Sequence, residues 1–188
     1  MFSNYTKYFV EHCKIKADNK AMFKNINITE AFAKPIEKIG KDWTLISAGD
    51  INNFNMMTAS WGGVGFLWNK PVAFIFVRPN RYTFEFIEKQ PVFTLSFFAP
   101  EDKDILSYCG SHSGRNEDKA KACNLSVIAT SSNSISFKEA QMYFECRKLY
   151  AQDMDEKSFI DTSALTQWYG KDPLHRVYVG EILNAMAK

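Results

Sequence analysis

Four short runs, at residues 43–48, 71–77, 91–98 and 175–182, are dense in Val, Ile, Phe and Tyr and are bounded by Gly, Pro or Asn. Such runs are read as strands. No stretch between them carries a helical pattern long enough for the crossover that parallel neighbours require. The intervening helical patterns are brief. Thr83 can cap a turn carrying Phe86 and Ile87, and residues 102–108 put Ile105, Leu106 and Tyr108 on one side before Gly110, expected to act as a stop. A third helix is expected to begin at Asn116. Strands joined by turns and short helices predict a mainly β chain with peripheral helices, a barrel rather than a doubly wound sheet.

With 188 residues, 46% of them apolar and 15% aromatic, the chain can bury a sizeable core in one domain spanning 1–188. The polar stretch at 130–134 is too short to separate two domains. A formal charge of +2, from 23 basic and 21 acidic residues spread along the length, argues against nucleic-acid and membrane-surface partners and favours small ones. No run approaches the ~20 apolar residues that span a bilayer, and the first residues lack a leader pattern, so a cytoplasmic location is expected. Cys13, Cys109, Cys123 and Cys146 form no C-x-x-C pair and read as ordinary thiols.

Dinucleotide and P-loop fingerprints are missing: Gly62, Gly63 and Gly65 are followed by Phe66, Leu67 and Trp68, and no G-K-[ST] follows a glycine-rich loop. Cys109 and His112 have C-x-x-H spacing, but the other histidines, His12 and His175, lack cysteine companions, so no metal site is expected. A nucleophile at Cys109 or Ser113 beside His112 would need a base held by a third group, which sequence proximity does not supply.

Two segments carry chemistry beyond packing. The first joins Asn55, Met57, Thr58, Ala59 and Ser60 to Trp61 and the following glycines, small hydroxyl residues and exposed backbone beside a large ring. It suits the edge and face of a planar ligand, and a polar turn beside a core tryptophan would look the same. The second, Arg78-Pro79-Asn80-Arg81-Tyr82-Thr83, closes a strand with two arginines and opens a helix, a phosphate-binding arrangement. Ser111, His112, Ser113, Gly114 and Arg115 repeat the theme before another expected helix. Together they suggest a phosphorylated planar cofactor.

Those residues resemble the flavin reductase-like family that includes flavoredoxin. The N-x-M-T-A-S-W and R-P-x-R-Y-T patterns stand at 55–61 and 78–83. The likeness continues through 93–98, 110–119, 145–150 and 175–182, and so covers roughly 35–185. The resemblance implies a Greek-key split β-barrel that forms a homodimer and binds FMN near the interface. Thr58, Ala59, Ser60 and Trp61 would lie along the isoalloxazine and ribityl chain, with Asn55 and Met57 shaping that wall. Arg78, Arg81, Tyr82 and Thr83 would serve the phosphate end, and Ser111, Ser113, Gly114 and Arg115 match the family's S-G-R loop. Asn116 departs from the aspartate common in relatives and is still a competent helix cap. Residues 1–34 form an extension of unassigned role, in which Phe23, Ile26, Ile28 and Phe32 suit an amphipathic segment packed on the barrel or on the partner subunit.

The resemblance further implies an NAD(P)H-dependent FMN oxidoreductase passing electrons to an unknown acceptor. The cofactor carries the chemistry, so no protein acid or base is required, and His112 is the one candidate for a catalytic side chain. The alternative is an FMN-carrying electron-transfer protein with little direct NAD(P)H activity.

Overall fold

The computed structural model describes residues 22–31 and 34–188. Ten strands are described: β1 (Lys24–Asn25), β2 (Thr44–Asp50), β3 (Asn53–Ala59), β4 (Gly62–Leu67), β5 (Lys70–Val77), β6 (Val92–Phe97), β7 (Val127–Ala129), β8 (Ile135–Phe137), β9 (Met142–Asp153) and β10 (Arg176–Ala187). They alternate with short helices: α1 (Ile28–Ala31), α2 (Tyr82–Lys89), α3 (Lys103–Ser111), α4 (Lys119–Ala122) and α5 (Ser163–Trp168). The main sheet runs β3-β2-β6-β9-β10-β5-β4, with β1 also on β10, and β7 pairs with β8 apart from it. Every pairing is antiparallel. This is the split β-barrel with peripheral helices that the sequence reading expected.

β2 is buried along both faces, because side chains alternate and each face has a cover. Ile46 and Ala48 join Phe93, Leu95, Phe97, Phe144 and Tyr178 in the barrel core. Leu45 points the other way, into a second core with Met56, Leu106, Cys109, Ile135 and Phe137 under α3 and β8. Each large apolar side chain so buried contributes about 1.5–3 kcal/mol. The second core thus glues α3 to the outer face of β2 and β3. Glycine is required at 180, where an added Cβ would sit 2.6 Å from the Phe93 ring and 3.0 Å from Cys146.

Strands β3, β4 and β9 escaped the apolar-run reading, since β3 carries Asn and Thr, β4 is glycine-rich and β9 turns charged after Cys146. The expected stop at Gly110 is overturned: α3 continues to Ser111, and Gly110 instead lets the helix approach β3, its would-be Cβ lying 3.3 Å from Thr58. The helix expected from Asn116 begins at Lys119, capped by the Asp118 carboxylate, which accepts from Lys121 N at 3.0 Å. Thr83 is not the cap of α2. Arg81 holds that position, and the buried Thr83 hydroxyl accepts a hydrogen bond from Asn55 Nδ2 at 2.8 Å.

The polar stretch 130–134 is a tight turn between β7 and β8, closed by Thr130 N donating to Ser134 O at 2.9 Å. It is anchored by the buried Glu145 carboxylate, which accepts from Ser131, Ser132 and Asn184. In the N-terminal stretch Phe23 is buried edge-on against Tyr143, and Ile26 and Ile28 pack on the barrel core. Phe32, His12 and Cys13 lie outside the described residues. No helix among the described residues is long and apolar enough to cross a membrane.

Candidate functional site

β3, the start of α2 and the end of α3 converge on a polar cavity of about 150 Å³. Asn55 supports two of its walls. Its amide donates to Thr83, and its Oδ1 stands where a Cβ at Gly114 would lie, 2.1 Å away, so the Ser113-Gly114 backbone rests on it. Arg81 reaches across to the Gly110 carbonyl at 3.3 Å. Met57, Tyr82, Thr83, Ser111, His112 and Ser113 complete the lining with Asn80, Cys109 and Lys119. Ser111 Oγ donates back toward Ser107 O at 2.9 Å, and Ser113 Oγ accepts from Arg115 N at 3.3 Å.

Arg115 does not line this cavity. Its guanidinium pairs with Glu85, donates to Asn80 O at 3.2 Å and lies 4.8 Å over the Tyr82 ring, strapping the loop to α2. His112 stacks on Tyr108 at 3.9 Å, 9° from parallel. The Tyr108 hydroxyl donates to Glu117, which pushes its pKa up to about 12. Beneath the cavity Lys119 is buried, its ammonium donating to the carbonyls of Met56 at 2.5 Å, Cys109 at 3.0 Å and His112 at 3.3 Å. Burial lowers its pKa, the expected direction for a desolvated cation. Burial also pushes the Cys109 thiol up to about 12, so it is no nucleophile, and its sulfur sits 4.0 Å from that of Cys123.

A second cavity, of about 210 Å³, continues along β3 past Met57 and Arg81, which line both. Its walls are Thr58, Ala59, Ser60 and Trp61 on one side and Phe76, Arg78 and His175 on the other. The Thr58 hydroxyl donates inward to Leu106 O, fixing β3 against α3. Trp61 meets Trp168 edge-on at 5.3 Å and packs at a tilt against His175 at 5.4 Å. His175 Nδ1 is 3.0 Å from the Tyr169 hydroxyl. Burial, with Arg78 and Arg81 nearby, pushes its pKa down to about 4, so the imidazole is neutral at pH 7.

Arg78 and Arg81, grouped in the sequence reading at one phosphate end, differ in reach. Both arginines line the second cavity, Arg81 lines the first as well, and Arg78 stays in the second. There it pairs with Asp172, donates to Trp168 O at 2.8 Å and lies 5.4 Å over the Tyr169 ring. The other sequence candidates, Arg115 aside, line one or both cavities. Sequence reasoning missed Phe76, Lys119 and His175 as lining residues, and it quoted Asn80 only within the 78–83 segment. Lys119 lay within the quoted 110–119 stretch, but nothing in a lysine ahead of a helix signals burial. No group of His, Cys, Asp or Glu able to hold a metal occurs among the described residues.

A family model described as flavin reductase like domain matches residues 37–188. No curated protein sequence matches the chain. Among solved structures, the FMN-binding domain of a flavin reductases-like enzyme from Shewanella baltica OS155 is similar at 16% identity and TM-score 0.64, over 88% of this chain and 76% of that one. Flavoredoxin from Methanosarcina acetivorans is similar at 23% identity and TM-score 0.63, over 78% and 68%. The NADH:FAD oxidoreductase SgcE6 of Streptomyces globisporus C-1027 is similar at 16% and 0.58, over 78% and 75%.

Proposed function

We propose, from the premise that this chain belongs to the flavin reductase-like domain family, that it binds FMN along β3 and acts as an NAD(P)H-dependent FMN oxidoreductase. The observation that carries this reading is the two-ended cleft: hydroxyls, Arg81 and the Lys119 charge at one end, rings and exposed backbone at the other, continuous through Met57 and Arg81. That donor set fits a planar ring system with a phosphorylated tail.

Arg81, Thr83, Ser111 and Ser113 would hold the phosphate, with Asn55 and Gly114 keeping those walls in register. Thr58, Ala59 and Ser60 would line the ring edge, and Trp61 and Phe76 would exclude water from it. When bound, FMN would supply the redox chemistry, accepting electrons from the nicotinamide. The protein's part is orientation, and backbone N–H groups along β3 favour negative charge at the ring edge. His175, neutral and fixed by Tyr169, offers the incoming nicotinamide one uncharged polar contact. His112, stacked on Tyr108, has no proton to move in this scheme. A homodimer is proposed with it, on the exposed aromatic side chains Phe66, Trp68 and Tyr150 beside the sheet.

The test is the visible spectrum of the purified protein, the mass of any released chromophore, and anaerobic addition of NADH or NADPH. Bleaching of bound FMN is the expected result. Bound FMN that stays oxidised would favour the electron-carrier alternative, and a colourless protein that refuses added FMN would sink both.

A further inference from the structure

The polar end of the cleft is assembled around a buried cation. Lys119 opens α4 and is 4% exposed. Its ammonium has three N–H donors, and three carbonyls accept them. The acceptors belong to three different walls: Met56 to β3, Cys109 to α3, and His112 to the loop that continues into Ser113 and Gly114.

Carbonyl dipoles solvate this charge without neutralising it. Among the described residues no carboxylate lies within ion-pair distance of Lys119. Glu117, whose field reaches it, accepts from the Tyr108 hydroxyl instead. Arg81 adds a second positive charge to the same cavity. A desolvated cation facing another cation is costly unless an anion completes the set.

We infer that Lys119 is the positioning residue of the anion end: it pins the three walls together and supplies the buried counter-charge that makes the cleft select a phosphorylated flavin over its neutral dephospho form. With all three N–H groups on carbonyls, it acts through its field and through the walls rather than by touching the ligand. The inference rests on the FMN reading above.

The test compares FMN with riboflavin, which keeps the ring and side chain and lacks the phosphate, in wild type, Lys119→Met and Lys119→Arg. Lys119→Met is expected to lose about tenfold or more in FMN affinity while riboflavin affinity stays within about twofold, and Lys119→Arg to retain most of the preference. Parallel loss of both flavins would reduce Lys119 to a structural staple and overturn the inference, as would unchanged FMN affinity. Should Lys119→Met fail to fold, Lys119→Gln, whose amide still donates to two of the carbonyls, takes its place in the same comparison. Independently, the flavin-free wild type is expected to unfold at a higher temperature in inorganic phosphate than in chloride of equal ionic strength. No difference would overturn the inference. Phosphate stabilisation without binding of either flavin would remove the FMN reading and leave the anion end standing.

Discussion

At the polar end of the cleft, walls from three elements are joined by hydrogen bonds from buried side chains, Asn55 to Thr83 and Lys119 to three carbonyls. At the aromatic end the walls meet through ring contacts of Trp61 with Trp168 and His175, and through the ion pair of Arg78 with the exposed Asp172. Buried bonds to charged or orphan-prone groups are worth far more than an exposed pair, because water competes for the latter. One end is therefore preorganised and the other is latched from the surface. A phosphate needs fixed donors, whereas a nicotinamide that comes and goes needs a wall that can yield.

The sharpest way to break this contrast is to add one methyl group inside the polar end and one outside the cleft. Gly114→Ala drives a Cβ to within 2.1 Å of Asn55 Oδ1, so the loop or Asn55 must move. A loss of about 3 kcal/mol in FMN affinity is expected, the upper end of what overpacking costs. Gly63→Ala, on β4 and in the lining of neither cavity, places its Cβ 4.0 Å from Phe74 and should leave affinity unchanged. Equal effects in a flavin titration would mean that the polar end is no more tightly packed than a strand outside the cleft.

The two arginines separate the ends next. Arg81→Ala is expected to weaken FMN retention by about 1.5–3 kcal/mol, the scale of a hydrogen bond to a charged group. Arg78→Ala should cost much less, since its guanidinium already serves Asp172 and the Trp168 carbonyl. Dialysis followed by fluorescence of released flavin measures both, and matching losses would return Arg78 to the phosphate.

These two residues also show where the sequence was legible. Consecutive patterns such as Arg81-Tyr82-Thr83 and Ser111 to Gly114 expose their chemistry because one turn or loop presents neighbouring residues to the same cavity. Arg78 keeps to the second cavity while Arg81 lines both, a difference in reach that spacing does not reveal. Lys119 and His175 were invisible as site residues, since their burial depends on how separate elements pack, with Met56 of β3 on Lys119 and Trp61 against His175. The fold followed the same rule: apolar runs marked β2, β5, β6 and β10, while glycine-rich β4 and the polar-edged β3 and β9 declared themselves only through pairing.

A weaker effect should appear with pH. His175 has a folded pKa near 4 against an ordinary value of 6.5, so the unfolded chain binds its proton first. Stability is intact above about pH 6.5 and falls as pH drops toward 4, at no more than about 1.4 kcal/mol per unit. Denaturant titrations of wild type and His175→Gln between pH 7 and 4 test this. The variant should lose less stability over that window, and an identical acid slope would relieve His175 of the role.

The smallest change falls on the latch itself. Asp172→Asn removes the carboxylate that faces Arg78, and because Asp172 is exposed the cost to stability should be under about 1 kcal/mol. FMN affinity should not move, because Lys119 and the rest of the polar cavity are untouched. With one negative charge gone from the rim, the guanidinium presents a stronger field to an anionic nucleotide entering over Trp61. A fall in KM for NAD(P)H of about threefold at unchanged kcat is expected at low salt, fading as ionic strength screens the exposed charge. A KM that ignores both the substitution and the salt would place the nicotinamide away from Arg78 and make the aromatic end as closed as the polar one.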